Sequence, residues 1–286
     1  MKTTKFIAFC AMVSIVLSSC QKEEILEESE LESSVSVSLS KEHITALIDA
    51  GVNPSGAYYE THSDLLTGKT REGIRVSDLF IDLEKLAELK LAVSEDGTKQ
   101  YRTSNLVTAG STINVLGYTG SGYALSSVMQ TGLARAIANL NNANTSLTFN
   151  LTFGTTGTPD ILIYNPPGTD SSAGGVAEFP SGGNPGYEIQ IFGGMNNYDA
   201  DVNEHVMTHE IGHALGFRHT DYARRRCDNS NEGSTSYGAI YIPGTPSANQ
   251  WGSSSIDTDS IMISCFSGDE DGEFSYYDLV ALNYMY

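Results

Sequence analysis

The segment "HEIGHALGFRHTD", from His209 to Asp221, holds three of the six histidines of the chain, at spacings of four and six. His209 and His213 stand one helical turn apart, so a helix brings both imidazoles onto one face. That placement suits two bonds of ~2.0–2.1 Å to a single zinc ion. Glu210 is offset around the helix from His209, which leaves it free to act on a water rather than to join the ligands. Zinc lowers the pKa of such a water toward ~7, and the glutamate takes its proton. Gly216 follows His213 by three residues. Glycine accepts positive φ and commonly ends helices, so the chain can turn back there and deliver His219 to the same ion. Three protein nitrogens and one open position are the arrangement of a catalytic zinc.

An H-E-x-x-H alone also occurs in helices that bind nothing. The added glycine and third histidine serve the geometry of a metal site and of nothing else in the pattern. Asp201 is a candidate cap for this helix, with Glu204 three residues on to reach back. His205 lies one turn before His209, where a supporting or plain structural role is the reading. Asp221 either orients a ligand or caps the turn.

Around this segment the chain reads as α/β (α+β). "KEHITALIDAGV" and "VSDLFIDLEKLAELKLAV" have helical apolar spacing, the second with a cap signal at Ser77. "STINVLGY" (Ser111–Tyr118) is a strand candidate and "ALSSVMQTGLARAIANLN" a long helix. "SLTFNLTFG" alternates like a half-buried strand. "PDILIYNPP", "GGVAEFP" and "YEIQIF" are further strands, giving a twisted mixed sheet of about five. The chain ends in "SYYDLVALNYMY", a helix with a capping box from Ser275 and Asp278. The expected division is an export signal at 1–19, a flexible acidic tether at 20–40, a small N-terminal region at 41–100 and a main domain at 101–286.

The extended histidine motif resembles that of the metzincin metallopeptidases, and "HEIGH" resembles one bacterial branch, the HEIGH metallopeptidases. The resemblance covers roughly 101–286 and implies a Met-turn beneath the zinc, which "DSIMISC" supplies with Met262. It also implies that "GGVAEFP", through Gly175, Val176, Ala177 and Glu178, is an edge strand that pairs with extended substrate by main-chain hydrogen bonds; an ordinary edge strand is the other reading. Ser264 stands where astacin-like relatives carry a tyrosine, so a tyrosine contribution is in doubt there. The loop Ser267–Glu273 holds four acids. It reads as a solvated loop, a calcium site or a preference for basic side chains, and its spacing matches no EF-hand.

The N-terminus, "MKTTKFIAFCAMVSIVLSSC", has two lysines, an apolar stretch too short for a permanent span, and Leu17-Ser18-Ser19-Cys20 at its end. This resembles a bacterial lipobox, with Cys20 as the lipidated residue and the lipid as the only membrane attachment. Residues 21–34 carry six glutamates and one lysine, a solvated tether; their first residues resemble a signal for the outer face of the outer membrane. The remaining cysteines, Cys227 and Cys265, are an even pair in an exported chain and are expected to form a disulfide. The formal charge of −19 excludes nucleic acid as a partner. Nothing in the sequence speaks to oligomeric state.

These features add up to a lipid-anchored zinc endopeptidase acting on protein or peptide substrates. The competing readings are a catalytically silent surface-binding lipoprotein on the same fold and a hydrolase of non-peptide amides. The N-terminal region is either an accessory domain or an inhibitor. Some relatives block zinc with a cysteine, which is absent between Cys20 and Cys227, and others with an aspartate. Asp64, and less so His62, are the candidates for that role, with "GKTREG" (Gly68–Gly73) as a stretch open to cleavage.

Overall fold

The structure is a computed structural model that describes residues 38–89, 101–232 and 239–286. The expected export signal, Cys20 and the acidic run at 21–34 lie outside the described residues.

Helix α1 (Lys41–Asp49) starts at Ser40, whose side chain accepts from the His43 N–H. Strands β1 (Tyr58–Ser63), β2 (Thr70–Val76) and β3 (Leu79–Asp82) follow as an antiparallel meander. The helix expected from Val76 onward is therefore a strand here, followed by a 3-10 turn at Leu86–Glu88. A two-residue turn, Ser77 and Asp78, joins Val76 to its partner Leu79, with Ser77 in the left-handed region at φ 57°. All four residues of β3 are buried. A short apolar run covered on both faces carries no period that separates strand from helix.

Next come β4 (Tyr101–Arg102), β5 (Thr112–Tyr118), α2 (Ser127–Asn142), β6 (Thr148–Gly154), β7 (Ile161–Tyr164), β8 (Gly175–Ala177) and β9 (Glu188–Ile191). Helix α3 (Ala200–Leu215), β10 (Ile240–Tyr241) and α4 (Tyr276–Met285) complete the order. α4 has the expected box, with Ser275 and Asp278 capping each other's backbone. The large sheet has eight strands in the order β1-β2-β3-β8-β9-β7-β5-β6, and β4 pairs with β10 separately. The five strands expected downstream of residue 100 are all in the large sheet. The other three come from the N-terminal region, which extends the sheet instead of forming a body apart.

One junction makes that extension. Leu79 of β3 pairs with Ala177 of β8 in parallel, and the Ala177 N–H donates to the Asp78 carbonyl at 2.9 Å. β8 is antiparallel to β9 on its other side. It is thus an interior strand of this structure, not the free edge expected, because β3 occupies its open side.

The main core lies between the sheet and the pair α2–α3, with Met129, Leu133, Ile161, Ile163, Met207 and Ile211 fully buried. α2 and α3 approach closely at Gly132, where an added Cβ would stand 2.7 Å from the Asn203 backbone. A smaller core, around Leu47, Ile74, Leu79, Ile81 and Phe179, joins α1 and β2–β3 to the end of β8.

Beside it runs a buried ionic network. His62 of β1 stacks on Phe80 and places Nδ1 2.8 Å from Glu188 Oε1, with Glu60 on its other nitrogen at 3.2 Å. Arg71 of β2 bonds both Glu178 and Glu188, and the Tyr164 hydroxyl donates to Glu188. Burial alone would lower the pKa of His62, but Glu188 and Glu60 outweigh it and raise it to about 9. Burial would raise Glu188; His62 and Arg71 hold it at about 2. The ordinary values are 6.5 and 4.5, so the pair stabilises fully only between those pH values. Its contribution, at most about 3 kcal/mol, is lost as pH rises toward 9 and as pH falls toward 2. Melting temperature is expected to be highest between pH 4.5 and 6.5 and to fall by several degrees toward pH 9. His62→Gln should flatten that alkaline decline, and a decline unchanged in the variant would assign it to other groups.

Candidate metal centre

α3 carries the first two histidines, and the cap that starts it is Asp199, which accepts from the Val202 N–H at 3.1 Å. Asp201, the expected cap, pairs instead with Arg135 of α2, and Glu204 accepts from Asn139. Every residue from Val202 to Leu215 is buried, so this helix is enclosed on all sides and lacks the polar face of a surface helix. It ends at Gly216 in the left-handed region, φ 107°. A Cβ there would also stand 3.0 Å from Asn105 O and Thr103 Oγ1. The chain then reverses, and His219 comes to lie beside the other two imidazoles.

The three Nε2 atoms converge. His209 is 3.1 Å from His213 and from His219, and His213 is 3.2 Å from His219. Each Nδ1 is engaged elsewhere. His209 Nδ1 donates to Ile261 O at 2.7 Å, His213 Nδ1 to Phe217 O at 2.9 Å, and His219 Nδ1 to the Glu232 carboxylate. Those partners place a proton on each Nδ1, so in the neutral rings three Nε2 lone pairs point at one another, although at His219 Asp78 and Glu232 outweigh burial and raise the pKa to about 10. Three such lone pairs in contact repel unless a cation lies between them. Their spacing is close to the ~3.3 Å edge of a tetrahedron with ~2.0 Å bonds. Burial, reinforced by the neighbouring imidazoles, lowers the pKa of His209 well below its usual value and that of His213 to about 4, which keeps both neutral as ligands. The residues therefore fit a zinc ion.

A fourth candidate ligand is present that the sequence did not disclose. Asp78, from the β2–β3 turn, sets Oδ2 3.0 Å from His219 Nε2. Ligand atoms of Asp78, His209, His213 and His219 all lie within 4.8 Å of one another. Asp64 is elsewhere: its carboxylate accepts from the Leu66 and Thr67 N–H groups in the β1–β2 turn. His62 is committed to Glu188. "GKTREG" runs into β2, where Gly73 is packed so tightly under Phe80 that a Cβ would come within 2.3 Å of the ring. The expected inhibitory residue and cleavage stretch are thus structural parts of the sheet.

Glu210 is buried beside the cluster, with Oε2 lacking a hydrogen-bond partner among the described residues. Burial, and then the charge of Asp78, push its pKa well above the usual carboxylate range. Gly175 lies against it; a Cβ there would be 2.8 Å from Glu210 Oε1. Met262 packs under the helix at Gly212, whose added Cβ would meet its sulfur at 2.5 Å, and the Met262 carbonyl accepts from the Thr220 N–H. Asp221 ties this turn to the third histidine by accepting from the Ser264 N–H and hydroxyl. Cys227 and Cys265 are joined, with Cα atoms 5.7 Å apart, and so fasten the segment carrying Arg225 to the end of the same turn. Arg225 bonds the Ser77 hydroxyl and lies 3.4 Å from Glu232.

His205 is buried outside the ligand group, with Nδ1 3.8 Å from Glu270. In the acidic loop, Glu270 accepts from the Ser267 N–H and faces Arg226. A cleft of about 480 Å³ opens over the site, lined by His209, Glu210, Gly175, His205, Arg225 and Phe266 among others.

A family model described as dual-action HEIGH metallo-peptidase matches residues 74–286. The chain belongs to that family. The match takes in the three converging histidines, Glu210, the Met262 turn, β8 and Asp78, and starts within β2. No curated protein matches the chain. Among solved structures, two of myroilysin are similar at 18% identity over 62% of this chain, covering 80% and 83% of theirs, with a TM-score of 0.38. As a member of a HEIGH metallopeptidase family the chain is a hydrolase with a metal-dependent site. Asp78 and Glu232 are the site residues that sequence reasoning missed. Neither lies in a motif: one comes from a turn 131 positions before His209 and the other from a loop after the third histidine.

Proposed function

We propose that this metallopeptidase is a zinc endopeptidase that cleaves extended protein or peptide chains. The observation that carries this is the convergence of three Nε2 atoms beside a buried, unpartnered Glu210 oxygen. Zinc held there supplies a Lewis acid that polarises a carbonyl and acidifies water. Glu210 takes the proton of the attacking water and hands it to the leaving amine. A purely binding protein has no use for a base kept unpaired at such a position, which disfavours the silent-lipoprotein reading. With both chains activated by limited proteolysis, Glu210→Gln is expected to retain the metal and lose about 10²–10⁴-fold in peptide hydrolysis, measured by elemental analysis and turnover on the same preparation. Near-normal turnover in that variant would rule out this role for Glu210.

The chain in this form is latent. Asp78 stands on the metal ligands, and β3 covers β8, the strand on which an extended substrate would pair. Asp78→Ala in the full chain should keep the metal and admit a small hydroxamate that the unaltered chain excludes. Equal hydroxamate binding by both would remove Asp78 from this role.

Anchoring at the outer membrane through lipid on Cys20 rests on the two N-terminal lysines, the short apolar stretch and Leu17-Ser18-Ser19-Cys20. Cys20→Ser should move the protein from the membrane fraction to the soluble one; unchanged fractionation would exclude a lipid anchor there.

A further inference from the structure

Glu178 and Glu188 face each other where β8 and β9 end. The register that pairs Ala177 with Ile189 sets these two next to each other across the strands, and both are 2% exposed. Like charges directly opposite on a sheet destabilise it, the more so when buried. Among the described residues the cations that match them come from the N-terminal region, while Tyr164 and Gln190 of the sheet add hydrogen bonds to Glu188. Arg71 bonds both carboxylates, Lys85 Nζ is 3.2 Å from Glu178, and His62 pairs with Glu188. The Arg71 guanidinium also lies 5.5 Å from the centre of the Tyr187 ring, a cation–π distance.

We infer that Glu178, Glu188 and Tyr187 form a substrate subsite for a guanidinium or ammonium side chain, with Arg71 as its present occupant. This rests on the peptidase reading and names the chemistry of one substrate position. Two fixed carboxylates and an aromatic face match the planar, forked guanidinium better than any neutral side chain. The position relative to the metal is set by β8. Gly175 touches Glu210, and Glu178 lies three residues further along, about 10 Å away at strand rise. A chain paired to β8 in place of β3 therefore brings a side chain into this pocket two or three residues from the bond being cut. Displacement of the N-terminal strands leaves the two carboxylates without a cation, and a basic substrate side chain restores one.

The test has two arms. In the first, the full chain carrying Arg71→Ala is melted with n-propylguanidinium, and with n-butylurea as the neutral mimic. The guanidinium at millimolar concentration should raise the melting temperature by several degrees, with no effect from the urea, none on the unaltered chain, and none when Glu178→Gln and Glu188→Gln are added. If the Arg71 variant does not fold unaided, refolding yield with and without the two compounds is the readout. No gain from guanidinium in either format overturns the pocket. In the second arm, the full chain activated by limited proteolysis is profiled on a peptide library. Arginine or lysine should be enriched about 10- to 100-fold two or three residues from the cut, and Glu178→Gln should abolish the enrichment. A thermal response without this enrichment overturns the subsite. Failure to cut any peptide would count against the peptidase reading, while the first arm still decides the pocket.

Discussion

The reversal of the chain at Gly216 is the constraint on which the centre depends. α3 can place His209 and His213 on one face, but its axis carries any later residue away from them. Only a helix that stops within a turn of His213 and folds back can return a third imidazole to the same point. A side chain at Gly216 would be strained by φ 107° and crowded by Thr103 and Asn105. The Met262 turn then closes the site from below. It supplies the Ile261 carbonyl that orients His209 and the Met262 carbonyl that receives Thr220.

The surroundings of this reversal are built from buried charge, and the β1–β3 meander contributes to both concentrations of it. At the metal ligands, Asp78 and Glu232 sit on either side of His219, and Arg225 bridges toward Ser77 and Glu232. At the far end of β8, Arg71 and His62 neutralise Glu178 and Glu188. Between them the backbone of β3 bonds to Ala177. Such contacts hold firmly while all partners are present, because each charge is matched. Removing one side leaves buried charges uncompensated, a cost of several kcal/mol. The docking of the N-terminal strands is thus strong and reversible only as a unit, which is in keeping with the covering role proposed for them.

The convergence of His209, His213 and His219 was legible because their spacing is a property of one short segment. Four residues make a helical turn wherever the helix lies, and a glycine after His213 marks its end. The five large-sheet strands after residue 100 and the last helix were legible through alternation, punctuation and capping, and the two-residue strands β4 and β10 were not. The cap of α3 was misplaced by two residues, since Asp199 and Asp201 are both acceptable caps and only packing against Arg135 decides between them. β3 was misread as helix because four consecutive buried residues show no period.

What the sequence determined alone is the set of chemical groups: three imidazoles, a glutamate beside them and a pair of cysteines, each set by local spacing or by count, with the methionine turn implied by the family resemblance. The tertiary structure decided which acid reaches the metal ligands and which strand lies along β8. Asp78 and His209 are separated by 131 positions, and their meeting follows from one parallel pairing, Leu79 with Ala177. Asp64 had equal claim by residue type, but it lies at the other end of β2, where its carboxylate is used by its own turn. A strand pairing between distant segments rests on main-chain hydrogen bonds, which every residue but proline can make, so it leaves no mark in the order of side chains.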